Sequence, residues 1–233
     1  MRRVVACLSG LIVVSLLAVG VGGASDELDR LSGPDKLDAL IAKVVERQRE
    51  LRSLRADFTQ VKSSDLLLEP LESSGEFEFV APDRVRWDYA TPDPMIVVFA
   101  DDTLTTYHPG QRRAERIRVA DRHQRFVRAL AGTQPLDELA SQFAIALEDP
   151  GAPAPYRLTL TPTHRTLRKR LQQIVLDIDR ELLLPVMVEY RGADGDITRY
   201  EFRDLQLDPT IEMSRFQLDL GADVEIETID ASG

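Results

Sequence analysis

The chain has 233 residues, 39 acidic and 29 basic side chains, a net charge of −10 and one cysteine. That balance excludes the basic footprint of a nucleic-acid binder and disfavours adhesion to an anionic membrane surface. A single cysteine, Cys7, excludes an intrachain disulfide and a thiolate metal site.

The first residues predict an export signal. Arg2 and Arg3 form a basic start, Val4 to Val21 is apolar, and Gly22 and Ala24 supply the small residues of a cleavage site before Ser25. The run sits near the lower limit of about 17–25 residues for a bilayer span and ends in small residues, which favours a cleaved signal over an anchor. Cys7 lies too close to the N-terminus to be an acylation site and reads as a small apolar residue of the signal. The expected division is a signal peptide over residues 1–24, a flexible lead over 25–34 and one domain over 35–233.

Leu37, Leu40, Ile41, Val44, Val45 and Leu51 recur at helical spacing, with Asp38, Lys43, Glu46 and Arg47 mostly opposite. Gly33-Pro34-Asp35 is a suitable start, because proline is tolerated in the first turn. The pattern then switches to alternation. Leu54, Ala56 and Phe58, then Phe77 and Phe79, then Val85, Trp87 and Tyr89 alternate with polar residues. Each segment predicts a strand with one buried and one wet face, which puts Arg84 and Arg86 on the wet side, away from Trp87.

Met95 to Phe99 is apolar throughout, so both of its faces should be covered. Asp101-Asp102 and His108-Pro109-Gly110 punctuate the next strands, Leu104 to Tyr107 and Arg112 to Val119, giving a meander. Asp121 is placed to cap a second amphipathic helix with Phe126, Val127 and Leu130 on its stripe, ending at Gly132. Pro135 to Ala140 predicts another helical turn or two. Strands are expected again at Phe143 to Leu147, Tyr156 to Thr161, Ile174 to Ile178, Pro185 to Tyr190 and Ile197 to Leu207. Asp194-Gly195 between the last two is a strong hairpin signal. Phe216 to Leu220 and Val224 to Ile229 are weaker strand candidates.

Little in the sequence points to catalytic or metal chemistry. His108, His123 and His164 lack metal-ligand spacing. Asp194, Asp196 and Glu201 lack the ligand spacing of a calcium loop. Asp177 and Asp179 read as solvated carboxylates on the wet face of one strand. No nucleophile elbow, phosphate loop or dinucleotide fingerprint occurs. What remains is apolar surface on a sheet with two amphipathic helices. Periodicity alone does not separate an ordinary core from a lipid cavity, since both bury the same residues.

The order of the segments is informative. A helix is followed by Leu54-Arg-Ala-Asp-Phe58-Thr-Gln60, then Gly75-Glu-Phe77-Glu-Phe79, then Ala81-Pro82-Asp-Arg84-Val-Arg86-Trp87-Asp-Tyr89. Leu158-Thr-Leu160-Thr-Pro162 precedes the late hairpin. From roughly Leu37 to Val224 this order resembles the periplasmic lipoprotein carrier family, LolA. The resemblance implies an α+β, mainly β fold: an unclosed, strongly curved antiparallel half-barrel covered by helices. It implies a monomer in the periplasm that shields the acyl chains of lipoproteins and moves them from the inner to the outer membrane. The partners implied are an inner-membrane ABC lipoprotein-releasing complex and an outer-membrane acceptor. No catalytic residue, metal or cofactor is implied.

On the resemblance, Phe58, Phe77, Phe79, Trp87, Ile96, Val98, Leu158 and Leu160 are candidates for the cavity wall, and Phe126, Val127 and Leu130 for the lid. The family places a lid-latching arginine directly before the proline of the tryptophan segment, where this chain has Ala81. Relatives of the same fold serve other roles. The alternative reading is therefore a binding module for another lipid or glycolipid, or an envelope-stress sensor acting through a protein partner.

Overall fold

A computed structural model describes residues 27–118 and 135–230. The expected signal over 1–24, and the helix with Phe126, Val127 and Leu130, lie outside the described residues. Helix α1 (Gly33–Glu50) opens the domain with Pro34 in its first turn. A meander follows: β1 (Ser53–Ser63), β2 (Leu71–Val80), β3 (Arg84–Thr91), β4 (Met95–Ala100), β5 (Thr103–His108) and β6 (Arg113–Arg118). Short helix α2 (Leu136–Ala140) leads to β7 (Phe143–Glu148) and β8 (Tyr156–Pro162). The rest comprises α3 (Arg165–Arg168), β9 (Leu171–Ile178), β10 (Pro185–Gly192), β11 (Ile197–Leu207) and β12 (Glu225–Asp230).

The twelve strands of the described residues join one unclosed sheet in the order β12-β6-β5-β4-β3-β2-β1-β11-β10-β9-β8-β7. Every pairing is antiparallel except β12 with β6. Two hairpin-connected blocks meet where β1 pairs with β11, so the first and last long strands of the meander lie side by side at the centre. Gly195 sits at φ +96° in the β10–β11 turn, the left-handed conformation that the Asp-Gly signal supplies.

The inner face carries two apolar clusters. Over β7 to β10, Leu158, Leu160, Ile174 and Leu176 pack against Leu40 and Val44 of α1. Over β1 to β4, Phe58, Phe77, Val85, Trp87 and Phe99 form a second cluster, and Phe202 of β11 touches both. This placement follows from alternation alone: residues two apart on each strand share a face.

Three expectations need correction. The segment from Glu27 is packed rather than a free lead: Leu28 is fully buried in the first cluster, and Asp29 pairs with Lys36 and Arg180. The proposed strand at Phe216 to Leu220 is instead a 3-10 turn, Met213–Phe216, because Phe216 plugs the outer face against Val98 and Ala100. Asp177 is buried and takes two hydrogen bonds from Arg157, while Asp179 lies in the β9–β10 turn, accepting from the N–H groups of Glu181 and Leu182.

Gly75 of β2 is required by a close approach. It lies opposite Phe58 and Tyr89, and a methyl group there would stand 1.9 Å from the Asp88 carbonyl oxygen. Backbone rather than a flexible side chain would have to move. Gly75→Ala is expected to cost roughly 1–3 kcal/mol of stability by overpacking, read as a lower urea midpoint with an unchanged slope.

An ion network ties the start of the domain to the β7–β8 loop. Asp149 accepts from Lys36, Arg180 and the Gly151 N–H, and the Arg180 guanidinium stacks 4.0 Å from the Tyr156 ring centroid. Burial alone would push the Asp149 carboxyl up, but these donors and the nearby positive charge hold it down at about 2, below its ordinary 3.8. A depressed carboxyl stabilises the fold above its unfolded value and loses that contribution as pH falls towards the folded one. Urea midpoints of the wild type and Asp149→Asn should therefore differ near neutral pH and converge between about pH 4 and pH 2.

Candidate functional site

The inner-face aromatics surround Trp87. Its ring lies 4.6 Å from Phe77, 4.8 Å from Phe58, 5.0 Å from Tyr200 and 5.8 Å from Phe202, centroid to centroid. The Phe58 contact is edge-on at 81°, a favoured arrangement of two ring quadrupoles. Towards the end of the sheet where β1 begins, the packing opens. A cavity of about 390 Å³ lies there, within the range of roughly 300–1,000 Å³ usual for small-molecule sites. Its wall is Leu54, Phe77, Phe79, Trp87, Val188, Phe202 and Leu205, with Tyr190 and Tyr200 adding ring faces. The mouth is framed by Gln48, Arg49, Ala81, Pro82, Pro135 and Glu138.

Helix α2 is held at this mouth by two contacts with the end of α1. Gln48 accepts from the Leu136 N–H at 3.0 Å, and Arg49 donates to Asp137 at 2.8 Å. A bulge in β11 opposite Ala56, with Asp204 at φ +52°, lets Leu205 join the wall. Behind the aromatic cluster, Gln60 donates to the Tyr200 hydroxyl, which also hydrogen-bonds Tyr89. Burial pushes the phenols of Tyr89, Tyr190 and Tyr200 up, so the rings facing the interior stay neutral.

The structure sorts the candidates from the sequence. Phe77, Phe79 and Trp87 line the cavity. Phe58 belongs to the same aromatic cluster but is buried behind the wall. Leu158 and Leu160 face inward yet are fully buried beneath α1, so they are core and not wall. Ile96 and Val98 point to the outer face, where they pack with Phe216. The registers explain this: Val97 and Phe99 lie opposite Trp87 and Val85, which puts Ile96 and Val98 on the other side. Phe126, Val127 and Leu130 lie outside the described residues. Sequence reasoning missed Leu54, Val188, Tyr190, Tyr200, Phe202 and Leu205 as wall residues. Alternation of Tyr200 with Phe202 was the available signal; the β1–β11 pairing that brings them beside Trp87 was not.

The outer face is less wet than alternation suggested. Arg86 has a side chain only 12% exposed and grips Asp88 through two hydrogen bonds of 2.7 and 2.8 Å. Its third donor reaches the Arg215 carbonyl at 2.6 Å. Among the described residues, Glu76, Glu78 and Asp88 form one group with carboxylate oxygens close enough to share a cation. Arg55, Arg86 and Arg215 already occupy those oxygens, so the group is an ion network pinning the Met213–Phe216 turn.

The described residues thus form a one-sheet, unclosed barrel around an apolar, aromatic-walled cavity. The chain belongs to the family described as outer membrane lipoprotein carrier protein LolA, whose model matches residues 49–219. An outer-membrane lipoprotein carrier protein of Alkalilimnicola ehrlichii is 32% identical over 75% of this chain and 78% of its own length. One from Methylococcus capsulatus is 26% identical over 75% and 81%. Among solved structures, MucB has the same fold, with a TM-score of 0.51 and 17% identity over 84% of this chain. The chain spans 66% of MucB. An uncharacterised conserved protein of Thermus thermophilus matches with a TM-score of 0.52 and 10% identity, over 81% of this chain and 97% of that one.

Proposed function

We propose that this protein is a periplasmic carrier that shelters the acyl chains of lipoproteins in its cavity and moves them from the inner to the outer membrane. The observation that carries the reading is the apolar cavity, open at one end, in a chain of the LolA family. Every methylene exposed to water costs about 0.8 kcal/mol, so a long acyl chain needs cover to cross an aqueous compartment. An unclosed sheet with aromatic walls gives that cover without a covalent bond. Release then depends only on relative affinity at the acceptor, and such a cycle needs no catalytic residue. The donor would be an inner-membrane ABC lipoprotein-releasing complex and the recipient an outer-membrane acceptor.

Native mass spectrometry of the protein purified from its own periplasm tests this. Bound triacylated polypeptide is the expected result. Bound glycolipid or free phospholipid would reassign the cargo. An empty protein that also excludes a fluorescent fatty-acid probe would overturn the carrier reading.

A further inference from the structure

The β1–β2 hairpin ends in a connection that the carrier reading leaves unused. Residues Leu66, Leu67 and Leu68 stand at its tip, with Leu66 94% exposed and Leu68 fully so. Leu71, at the start of β2, is exposed as well. The tip is held by a local turn, in which the Leu67 N–H donates to the Ser64 carbonyl and the Leu66 N–H to the Ser64 hydroxyl. The cavity opens where β1 begins, so the length of that strand separates the leucines from the mouth.

Charge says what could cover this tip. Asp65 and Glu69 abut the leucines on either side, and Glu72 follows on β2. The registers bring two further connections to the same end: Thr91 pairs with Ser74 ahead of Asp93, and Ser63 pairs with Ile197 beside Asp194 and Asp196. Lys62 stands among the carboxylates of the tip, while Lys169 and Arg170 lie beside the β10–β11 turn, where the Arg170 carbonyl accepts from the Ala193 N–H. Packed tip to tip, a second copy of this chain would set Asp65, Glu69 and Glu72 against their own like charges. Insertion into an anionic bilayer would draw Asp65 and Glu69 against like-charged headgroups. A protein pocket that is apolar at its centre and rimmed by Lys or Arg satisfies both features, because complementary rims steer encounter while buried leucines hold the complex.

We infer that the Leu66–Leu68 tip is a docking knob for a protein partner with a basic-rimmed apolar pocket, separate from the lipid site. The test uses the full chain in its own cells, with a photo-activatable phenylalanine analogue in place of Leu67. Expected is a single adduct whose cross-linked partner peptide contains Lys or Arg beside apolar residues. Its yield should fall at least fivefold when Asp65→Lys, Glu69→Lys and Glu72→Lys are combined, while fatty-probe binding by the cavity is unchanged. No adduct, an adduct between two copies of this chain, or a yield indifferent to charge reversal would overturn the proposal. So would co-flotation with vesicles of phosphatidylethanolamine and phosphatidylglycerol that is lost in Leu66→Ser/Leu67→Ser/Leu68→Ser.

Discussion

Phe79→Glu is expected to weaken binding of a fatty-acid probe by at least about a hundredfold, while Phe79→Leu stays near wild type. Phe79 lines the cavity near its mouth and is only partly buried at the edge of the aromatic cluster. A carboxylate there must either keep its water, which occupies the space an acyl chain needs, or lose it against Phe77 and Trp87. Burying an unpaired charge costs several kcal/mol, and about 1.4 kcal/mol is already a tenfold change in affinity. Because the ring is not part of the fully buried core, the variant should unfold at nearly the same urea concentration as the wild type. Probe titration and urea unfolding, measured on the same samples, separate a lost site from a lost fold. Retained affinity in Phe79→Glu would mean that the ligand sits elsewhere.

The contrast between Phe79 and Val98 shows where sequence reasoning ran out. Strand positions were legible because turn residues and period-two alternation mark them, and the Asp-Gly hairpin was found at its observed place. Within each alternating strand the inner face also follows, which is why Phe77, Phe79 and Trp87 fall on the face that lines the cavity. Met95 to Phe99 offers no alternation, so its two faces are equivalent in sequence. Only the register with β3 shows that Val97 and Phe99 face inward while Ile96 and Val98 meet Phe216. Leu158 and Leu160 were assigned to the correct face, but α1 covers that half of the sheet and leaves the opening to the β1–β3 and β10–β11 portion. Tyr200 and Phe202 lie some 140 residues from Gln60 and Phe58, their partners on β1, a pairing that local pattern does not encode. The wet face expected of β2 and β3 differs for a related reason: Glu78 and Arg86 look solvated until the Met213–Phe216 turn is laid over them.

That overlay makes Glu78 the residue whose loss should be felt most in stability. It is fully buried, accepts 2.8 and 3.1 Å hydrogen bonds from Arg55, and also accepts from Arg215. Removing Glu78 takes the two short hydrogen bonds from Arg55, which keeps only the 3.7 Å approach of Glu76, and leaves Arg215 with Glu76 and Asp88. The cost falls towards the lower end of the about 3–5 kcal/mol of a broken buried pair. For a domain of this size Glu78→Ala should lower the melting temperature on the order of 10 °C, whereas an exposed pair such as Arg84 with Asp101 should contribute about 1 kcal/mol or less. The effect should reach further than the network. Arg215 precedes Phe216, and Phe216 covers Val98 and Ala100 on the outer face. Loosening Arg215 therefore exposes apolar surface on the side of the sheet away from the cavity. Glu78→Ala should accordingly raise binding of a hydrophobic dye while leaving fatty-probe affinity close to wild type. A loss of less than about 1 kcal/mol would instead mean that the carboxylate is solvated in solution and that Phe216 alone holds the turn.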